Sequence, residues 1–232
     1  MKFIFTVLLI VLVFLPVSSL AVAQYEYGSK VMQGDPDESK ALSPFYVGPV
    51  FAFVDLDNSG IFKPEDPVYI NINPADGVVS ENDVRVTPFG TFPAGSQVVA
   101  TDPDHDKPLK MFGTYHYPAA EPRYFDVNGD KAYSIEDPVY LNLNPGIVSA
   151  GDIRITGYPV NTPLPGLIPG SRVRDSDPDS GKPTSTLPGM LAFYNANGNI
   201  NDAGWGIYDK DDVVYIATQY PFNAITVNDI RL

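Results

Sequence analysis

The 232-residue sequence contains no cysteine. Disulfide bonds, which commonly hold exported domains together, are therefore excluded. The fold must be stabilised by buried apolar side chains, by bound metal ions or by packing against copies of itself. Histidine is also scarce, with two residues, and neither an H-E-x-x-H nor a G-x-S-x-G motif is present. We therefore expect no enzymatic activity.

Basic residues are few. Lysine and arginine together number 15 against 28 aspartates and glutamates, which gives a formal net charge of −13 at pH 7. Nucleic acids and anionic lipids are disfavoured as partners because both carry negative charge and would be repelled. The same charge favours solubility or the binding of multivalent cations.

Long apolar segments are missing except at the N-terminus. Lys2 precedes an apolar run from Phe3 to Leu15, and a small-residue pattern ends at Ala23. This arrangement is typical of a cleaved signal peptide, predicted at residues 1–23. An uncleaved membrane anchor is the alternative, but the run is shorter than the roughly 20 residues that span a bilayer. We expect a protein that is secreted and extracellular or cell-surface associated, with no membrane span in the mature chain.

The remaining chain contains three copies of one unit, each recognisable by three landmarks in a fixed order. The first is Gly-Ser-x-Val followed by Asp-Pro-Asp, the second is an acidic loop that leads into a strand, and the third is a closing segment with Asp-(Val/Ile)-Arg. Such self-similarity indicates a repeat architecture. The predicted modules are residues 24–94, 95–169 and 170–232.

Hydrophobic alternation predicts the fold class. Val68, Ile70 and Ile72 alternate with Tyr69 and Asn71, as in a half-buried strand. The chain has 23 prolines and 19 glycines, which suits short strands joined by many turns. The prediction is a mainly β protein of three tandem small β-rich modules, strung together or packed side by side.

The acidic loops between strands carry the chemistry. Calcium prefers six to eight oxygen ligands, and a twelve-residue loop supplies them from positions 1, 3, 5, 7 and 12. Carboxylates at these positions repel one another unless a cation lies between them. The predicted ligands are Asp55, Asp57, Ser59, the backbone of Ile61 and Asp66 in the first repeat, and Asp126, Asn128, Asp130, the backbone of Ala132 and Asp137 in the second.

Weaker sets of oxygen donors follow a similar spacing. In the third repeat, a longer loop keeps mostly neutral donors, namely Asn195, Asn197, Asn199 and Asp212. A second ion in the first two repeats would use Asn71, Asn73 and Asp83, and Asn142, Asn144 and Asp152. The alternative is that a Ser-x-x-Asp sequence caps a short turn in these places.

The Asp-Pro-Asp segments allow two interpretations. They are either additional cation sites or solvated turns whose shape is fixed by proline, and the turn is favoured. The closing segments each contain one arginine, and we expect these arginines to pair with nearby carboxylates. They are Arg85, Arg154 and Arg231.

The acidic loops resemble the EF-hand-like calcium loops of dockerin modules, in which aspartate fills position 12. The wider unit is similar to repeats of archaeal or bacterial secreted surface proteins. The chain departs from the dockerin pattern at Lys131, where the family prefers glycine. It also departs at Pro67 and Pro138, which lead into a strand where a dockerin continues as helix. The resemblance implies Ca²⁺ as the cofactor.

These features together favour a calcium-stabilised repeat protein with a structural or cell-surface role, which self-assembles or binds other surface proteins. The alternative is a calcium-dependent adhesion or dockerin-like module that binds a protein or glycan partner.

Overall fold

The computed structural model describes residues 26–45, 48–112, 120–144, 146–157, 167–200 and 206–232. The predicted signal peptide lies outside these residues. The described chain forms twelve β-strands and no helix, so the prediction of a mainly β fold is confirmed. A helix long and apolar enough to cross a membrane is accordingly not found in this part of the chain.

The strands form three antiparallel four-stranded sheets. Sheet I has the order β4-β3-β2-β5 and consists of β2 (Val50–Phe53), β3 (Val68–Asn71), β4 (Val84–Arg85) and β5 (Lys110–Met111). Sheet II has the order β8-β7-β6-β9 and consists of β6 (Glu121–Tyr124), β7 (Val139–Asn142), β8 (Ile153–Arg154) and β9 (Ser185–Thr186). Sheet III has the order β1-β10-β11-β12 and consists of β1 (Ser43–Pro44), β10 (Met190–Tyr194), β11 (Val213–Ala217) and β12 (Ile230–Arg231).

Sheet III joins the two ends of the described chain. Its edge strand β1 precedes the other three strands of sheet III in sequence. The corresponding edge strands, β5 in sheet I and β9 in sheet II, instead follow the other three strands of their sheets. Ser43 pairs with Phe193, and an isolated bridge joins Lys30 to Ile230. The repeat boundaries at residues 94/95 and 169/170 therefore fall between the third and fourth strands of sheets I and II.

One hydrophobic core is shared by all three sheets. Alternate side chains of one inner strand of each sheet (β3, β7 and β11) point into it, as Val68 and Ile70 of β3 illustrate. The other contributors from these strands are Val139, Leu141, Val214 and Ile216. The repeats are therefore packed around a common centre rather than strung along the chain.

The opposite faces of these strands are also buried, so the prediction of half-buried strands is wrong. Tyr69 of β3 is fully buried beneath Val79, Val98 and Leu109, all of which belong to loops of the same sheet. Each sheet therefore lies between the common core and its own covering loops. This explains why Asn71 is buried although it points away from the common core.

Candidate metal centre

The first acidic loop connects β2 to β3 at the surface. The Asp55 carboxylate accepts hydrogen bonds from Ser59 N at 3.1 Å and Gly60 N at 2.8 Å. Asp57 accepts a bond from Ser59 N at 3.1 Å and forms an ion pair with Lys63. The hydrogen bond from Lys63 holds the pKa of Asp57 below its ordinary value. Positions 1 and 3 of the loop thus direct carboxylates into one turn.

The second acidic loop has the same arrangement between β6 and β7. Asp126 accepts hydrogen bonds from Gly129 N at 2.6 Å and Lys131 N at 2.7 Å. The amide of Asn128 donates to Asp130 Oδ2 at 3.1 Å, and Asp130 Oδ1 accepts a bond from Ala132 N at 2.8 Å. The side chains of positions 1, 3 and 5 therefore make their hydrogen bonds within one turn.

The third loop contains a carboxylate that the sequence analysis missed. Asn195 Oδ1 accepts a bond from Gly198 N at 2.7 Å, as expected of position 1. The amides of Asn197 and Asn199 donate to Asp209 Oδ2 at 2.7 and 3.1 Å. Asp209 precedes Asp212 by three residues, just as Lys63 precedes Asp66 and Ser134 precedes Asp137. This spacing is the sequence signal that could have identified Asp209.

The aspartate at position 12 joins the two ends of each loop. Both oxygens of Asp66 accept backbone hydrogen bonds, from Leu56 N at 3.0 Å and Lys63 N at 2.7 Å, and the side chain is buried. The corresponding bonds are Val127 N and Ser134 N to Asp137, at 2.9 and 2.8 Å, and Ala196 N and Asp209 N to Asp212, at 2.8 and 2.9 Å. Because both oxygens of each carboxylate already accept a backbone hydrogen bond, only their remaining lone pairs are available to a metal ion.

The predicted second sites contain the same kind of turn. Asp83 accepts bonds from Ile72 N and Ser80 N, both at 2.9 Å, and burial raises its pKa to about 7 against the effect of these bonds. Asp152 accepts bonds from Leu143 N and Ser149 N, both at 2.8 Å, and burial raises its pKa to about 6. The Ser-x-x-Asp turn is therefore present in both repeats.

The amides of these second sites differ in their surroundings. Asn142 Nδ2 donates to Asp152 Oδ2 at 2.9 Å and to Ile147 O at 2.7 Å. Asn73 Nδ2 donates to Asp76 at 3.3 Å, and Asn144 is exposed. Asn71, by contrast, is buried with neither amide atom hydrogen-bonded to the described chain.

The arginine of each closing segment binds an Asp-Pro-Asp segment. Arg85 forms a bidentate pair with Asp104, with Nε and Nη2 at 2.8 and 2.7 Å, and Nη2 also contacts Asp102 at 2.7 Å. Nη1 donates to Ser96 Oγ at 3.1 Å and Gln97 O at 3.0 Å. Tyr69 OH donates to the same Asp104 at 2.8 Å. The expected pairing of these arginines with carboxylates is confirmed.

Equivalent networks occur in the other two sheets. Arg154 binds Asp177 and Asp179, and Arg231 binds Asp35 and Asp37. The second aspartate of each segment is buried, so the interpretation of Asp-Pro-Asp as a solvated turn is wrong. Burial by itself would raise the pKa of Asp104, but the bonds from Arg85 and Tyr69 hold that pKa below its ordinary value.

A lysine from sheet III caps the end of the second acidic loop. Lys30, the third residue of the first Gly-Ser-x-Val, donates from Nζ to Ser134 O and Ile135 O, both at 3.0 Å, and to Asp137 O. Its ammonium also lies 4.7 Å from the ring centroid of Tyr133. Burial lowers the pKa of Lys30 to about 7, an effect that Asp137 opposes.

The same position makes an inter-sheet contact in every repeat. Arg172 donates to Asp66 O, and its guanidinium lies 4.9 Å from the Phe62 ring centroid. Gln97 Nε2 donates to Asp212 O at 3.2 Å and to Tyr208 OH at 2.6 Å. We call these contacts of Lys30, Gln97 and Arg172 the inter-sheet clamps. The sequence signal that could have indicated these contacts is the long polar side chain at position x of each Gly-Ser-x-Val segment.

No group of three or more His, Asp or Glu side chains within the described ranges is arranged as a metal site. The candidate ligands of the acidic loops are mixed, since they include amides, a hydroxyl and backbone oxygens. Calcium accepts such mixed oxygen donors. No protein-family model, curated protein or solved structure matches this chain.

Lys131 occupies a strained position in the second loop. Its φ of +66° lies in the left-handed region, where Gly60 of the first loop has a φ of +72°. A side chain costs about 1 kcal/mol in this conformation. Lys131→Gly should therefore raise the free energy of unfolding by about 0.5–1 kcal/mol in urea denaturation. Lys131→Ala is the control, because it removes the charge and keeps the strain; an equal gain from both variants would contradict this explanation.

Proposed function

We propose that this protein is a secreted, calcium-stabilised scaffold with a structural or cell-surface role rather than an enzyme. The proposal is carried by one observation: oxygen-rich loops recur in all three sheets, and each is tied to a neighbouring sheet by a clamp. The export signal expected at residues 1–23 and the net charge of −13 support it. Extracellular fluids supply calcium at concentrations that suit weak sites of this kind.

The proposed ligands fit calcium at the start of each loop. In the second loop, Asp126, Asn128 and Asp130 provide side-chain oxygens within one turn, and Ala132 provides a backbone carbonyl. In the first loop, Asp55, Asp57 and Ser59 hold these positions. A bound calcium ion would neutralise the carboxylates that repel one another. Asp66 and Asp137 would support the site by holding the loop ends together.

The clamps suggest how an ordered loop stabilises the whole molecule. Lys30 reaches carbonyls that lie at positions 9, 10 and 12 of the second loop. A loop that unfolds locally would lose these acceptors and leave the partly buried ammonium without them, which is costly. Calcium would therefore act on the packing between sheets as well as on the loop.

A binding role is the second candidate. Ile61 and Leu56 lie in the first loop, and their side chains are 64% and 48% exposed. Apolar side chains beside an acidic loop suit contact with another protein surface, including a second copy of this chain. In this interpretation, the protein is a calcium-dependent adhesion or dockerin-like module whose partner is a protein or a glycan.

Removal of calcium is expected to lower the melting temperature of the mature protein. With calcium at about ten times its dissociation constant, each occupied loop contributes about 1.4 kcal/mol. For a chain of this size, that corresponds to roughly 3–6 °C for each loop. The measurement is a calorimetric melt in calcium and in EDTA, with magnesium as the control ion.

The variant Asp126→Asn/Asp130→Asn should lose about half of the calcium-dependent shift, because the first loop remains and the third loop, whose donors are mostly neutral, contributes little. An identical melt in calcium and EDTA, with no calcium bound, would refute the proposed function. A calcium-dependent partner found on a glycan array, with no effect of calcium on the melt, would instead favour the binding role.

A further inference from the structure

Sheet III receives its covering segment from a distant part of the chain. In sheet I, Arg85 donates to Ser96 Oγ, which is 11 positions away, and the corresponding bond in sheet II spans 17 positions. The equivalent bond in sheet III, from Arg231 to Ser29 Oγ, joins residues that are 202 positions apart. Sheets I and II are therefore tied to their covering segments by the adjoining chain, whereas sheet III is not. We call residues 27–45 the donor segment.

Main-chain hydrogen bonds hold the donor segment to sheet III along its length. Near the start of the segment, Val31 N donates to Asp229 O at 2.8 Å. Near its end, Leu42 N donates to Asn223 O at 3.0 Å, and β1 pairs with β10. An extended segment that completes a sheet in this way is recognised through its backbone, whichever molecule supplies it.

Side chains of the donor segment make the contact specific. Val31 and Leu42 are buried in a cluster with Tyr215 of β11. The ring centroid of Phe45 lies 4.9 Å from that of Phe193 in β10. Without the segment, sheet III would expose these apolar side chains to water, which is unfavourable. Sheet III is therefore an acceptor for a segment of this sequence.

A short connection joins the donor segment to sheet I. Strand β1 ends at Pro44 and β2 begins at Val50, and the residues between them include Gly48 and Pro49. A fully extended connection of this length spans about 20 Å. Such a reach allows the segment to enter sheet III of an adjacent copy. Short hinge connections favour this exchange, because the exchanged form contains the same contacts as the closed form.

We propose that the donor segment of one copy completes sheet III of a second copy of this chain, so that copies associate by exchanging residues 27–45. Each chain supplies one donor segment and one acceptor sheet. The smallest assembly is therefore a reciprocal dimer, and head-to-tail exchange extends it into a row of copies. This inference rests on the proposed structural role and names the partner and the contact through which copies associate.

The concentration of the protein decides between the closed and exchanged forms. A short connection gives the donor segment an effective concentration in the millimolar range at its own sheet III. Closure within one copy therefore predominates in dilute solution. Copies packed side by side on a surface reach comparable local concentrations, which suits exchange at the location that we propose for the protein.

Disulfide formation measures the exchange directly, because the chain contains no cysteine of its own. Ala41 of the donor segment and Ala224 of sheet III are bridge partners in a non-hydrogen-bonded antiparallel pair. The Cα atoms of such a pair are about 4.5 Å apart, which is within disulfide range. Full-length mature chains carrying Ala41→Cys are mixed with chains carrying Ala224→Cys and oxidised for a fixed time. We expect a cross-linked heterodimer in non-reducing electrophoresis, whose fraction rises about tenfold for a tenfold increase in dilute protein.

Two further variants serve as controls. Val78→Cys has the place in sheet I that Ala224 has in sheet III, and Val78 is bridged to Pro108 of the adjoining chain. Mixed with Ala41→Cys, it should give only the low yield of random collisions. The double variant Ala41→Cys/Ala224→Cys, oxidised at high dilution, locks the donor segment in its own copy. It should stay monomeric in size-exclusion chromatography at concentrations at which its reduced form associates, and circular dichroism verifies that both forms are folded.

Either of two results would overturn this inference. One is a heterodimer yield from Ala41→Cys and Ala224→Cys that is no higher than the yield with Val78→Cys. The other is association of the locked variant to the same extent as its reduced form, which would mean that copies meet through another surface. The melt in calcium and EDTA tests the proposed function separately, since an absent calcium effect leaves the cross-linking result standing and absent cross-linking leaves the calcium effect standing.

Discussion

Arg231→Met is expected to lower the free energy of unfolding by about 3–5 kcal/mol, the usual cost of breaking a buried ion pair. The arginine binds Asp37 through Nε and Nη2 at 2.8 and 2.6 Å, and Asp35 through Nη2 at 2.6 Å. Tyr215 OH donates to the same Asp37 at 2.7 Å. The variant leaves the buried carboxylate of Asp37 without the hydrogen bonds and the positive charge of Arg231, while the bond from Tyr215 remains. Denaturation in urea measures the change.

Arg85→Met is the matched control for this variant. It breaks the same network in sheet I, where arginine and aspartates are close in sequence. Both variants should destabilise the protein, but only Arg231→Met releases the segment that completes sheet III. Trypsin should therefore cleave at the exposed Lys40 much faster in Arg231→Met than in Arg85→Met. Equal cleavage rates at Lys40 would contradict a role for Arg231 in holding this segment.

Asp137→Ala is expected to lower the free energy of unfolding by about 2–4 kcal/mol and to abolish the calcium binding that we propose for the second loop. The carboxylate accepts bonds from Val127 N at 2.9 Å and from Ser134 N at 2.8 Å. Its removal leaves these backbone donors unpaired, at about 1–3 kcal/mol for each buried group. The loop then loses the connection between its two ends, and positions 1, 3 and 5 are no longer held in one turn. Urea denaturation and calcium titration measure the two effects.

Glu136→Ala provides the matched control, because it removes one negative charge from the neighbouring exposed residue. It should change stability by less than about 0.5 kcal/mol. If Asp137→Ala were as stable as Glu136→Ala, the aspartate at position 12 would not be closing the loop. If it lost stability but still bound calcium with unchanged affinity, the ion would have to be held elsewhere.

The sequence by itself determined the threefold repeat, the β class of the fold and the ion pairs between arginines and aspartates that are close in the chain. Tyr69 and its counterparts mark the inner strands because large apolar residues flank each tyrosine on both sides. Arg85 and Asp104 are close in the chain, so their pairing could be expected from the excess of acidic residues. The loop geometry followed from spacing, since turns of this kind involve residues three to five apart.

Only the tertiary structure decided how the repeats associate. The three sheets surround one core, and the N-terminal segment completes the sheet formed by the C-terminal strands. The repeat pattern alone does not show that residues 28–44 belong to sheet III, the sheet that contains Arg231. The burial of both faces of β3 depends on loops that cross above it. Alternation in the strand itself could not reveal this. The contacts of Lys30 with Asp137 and of Arg172 with Asp66 connect residues more than 100 positions apart. Such contacts depend on the packing of three sheets around one core, which no local pattern encodes.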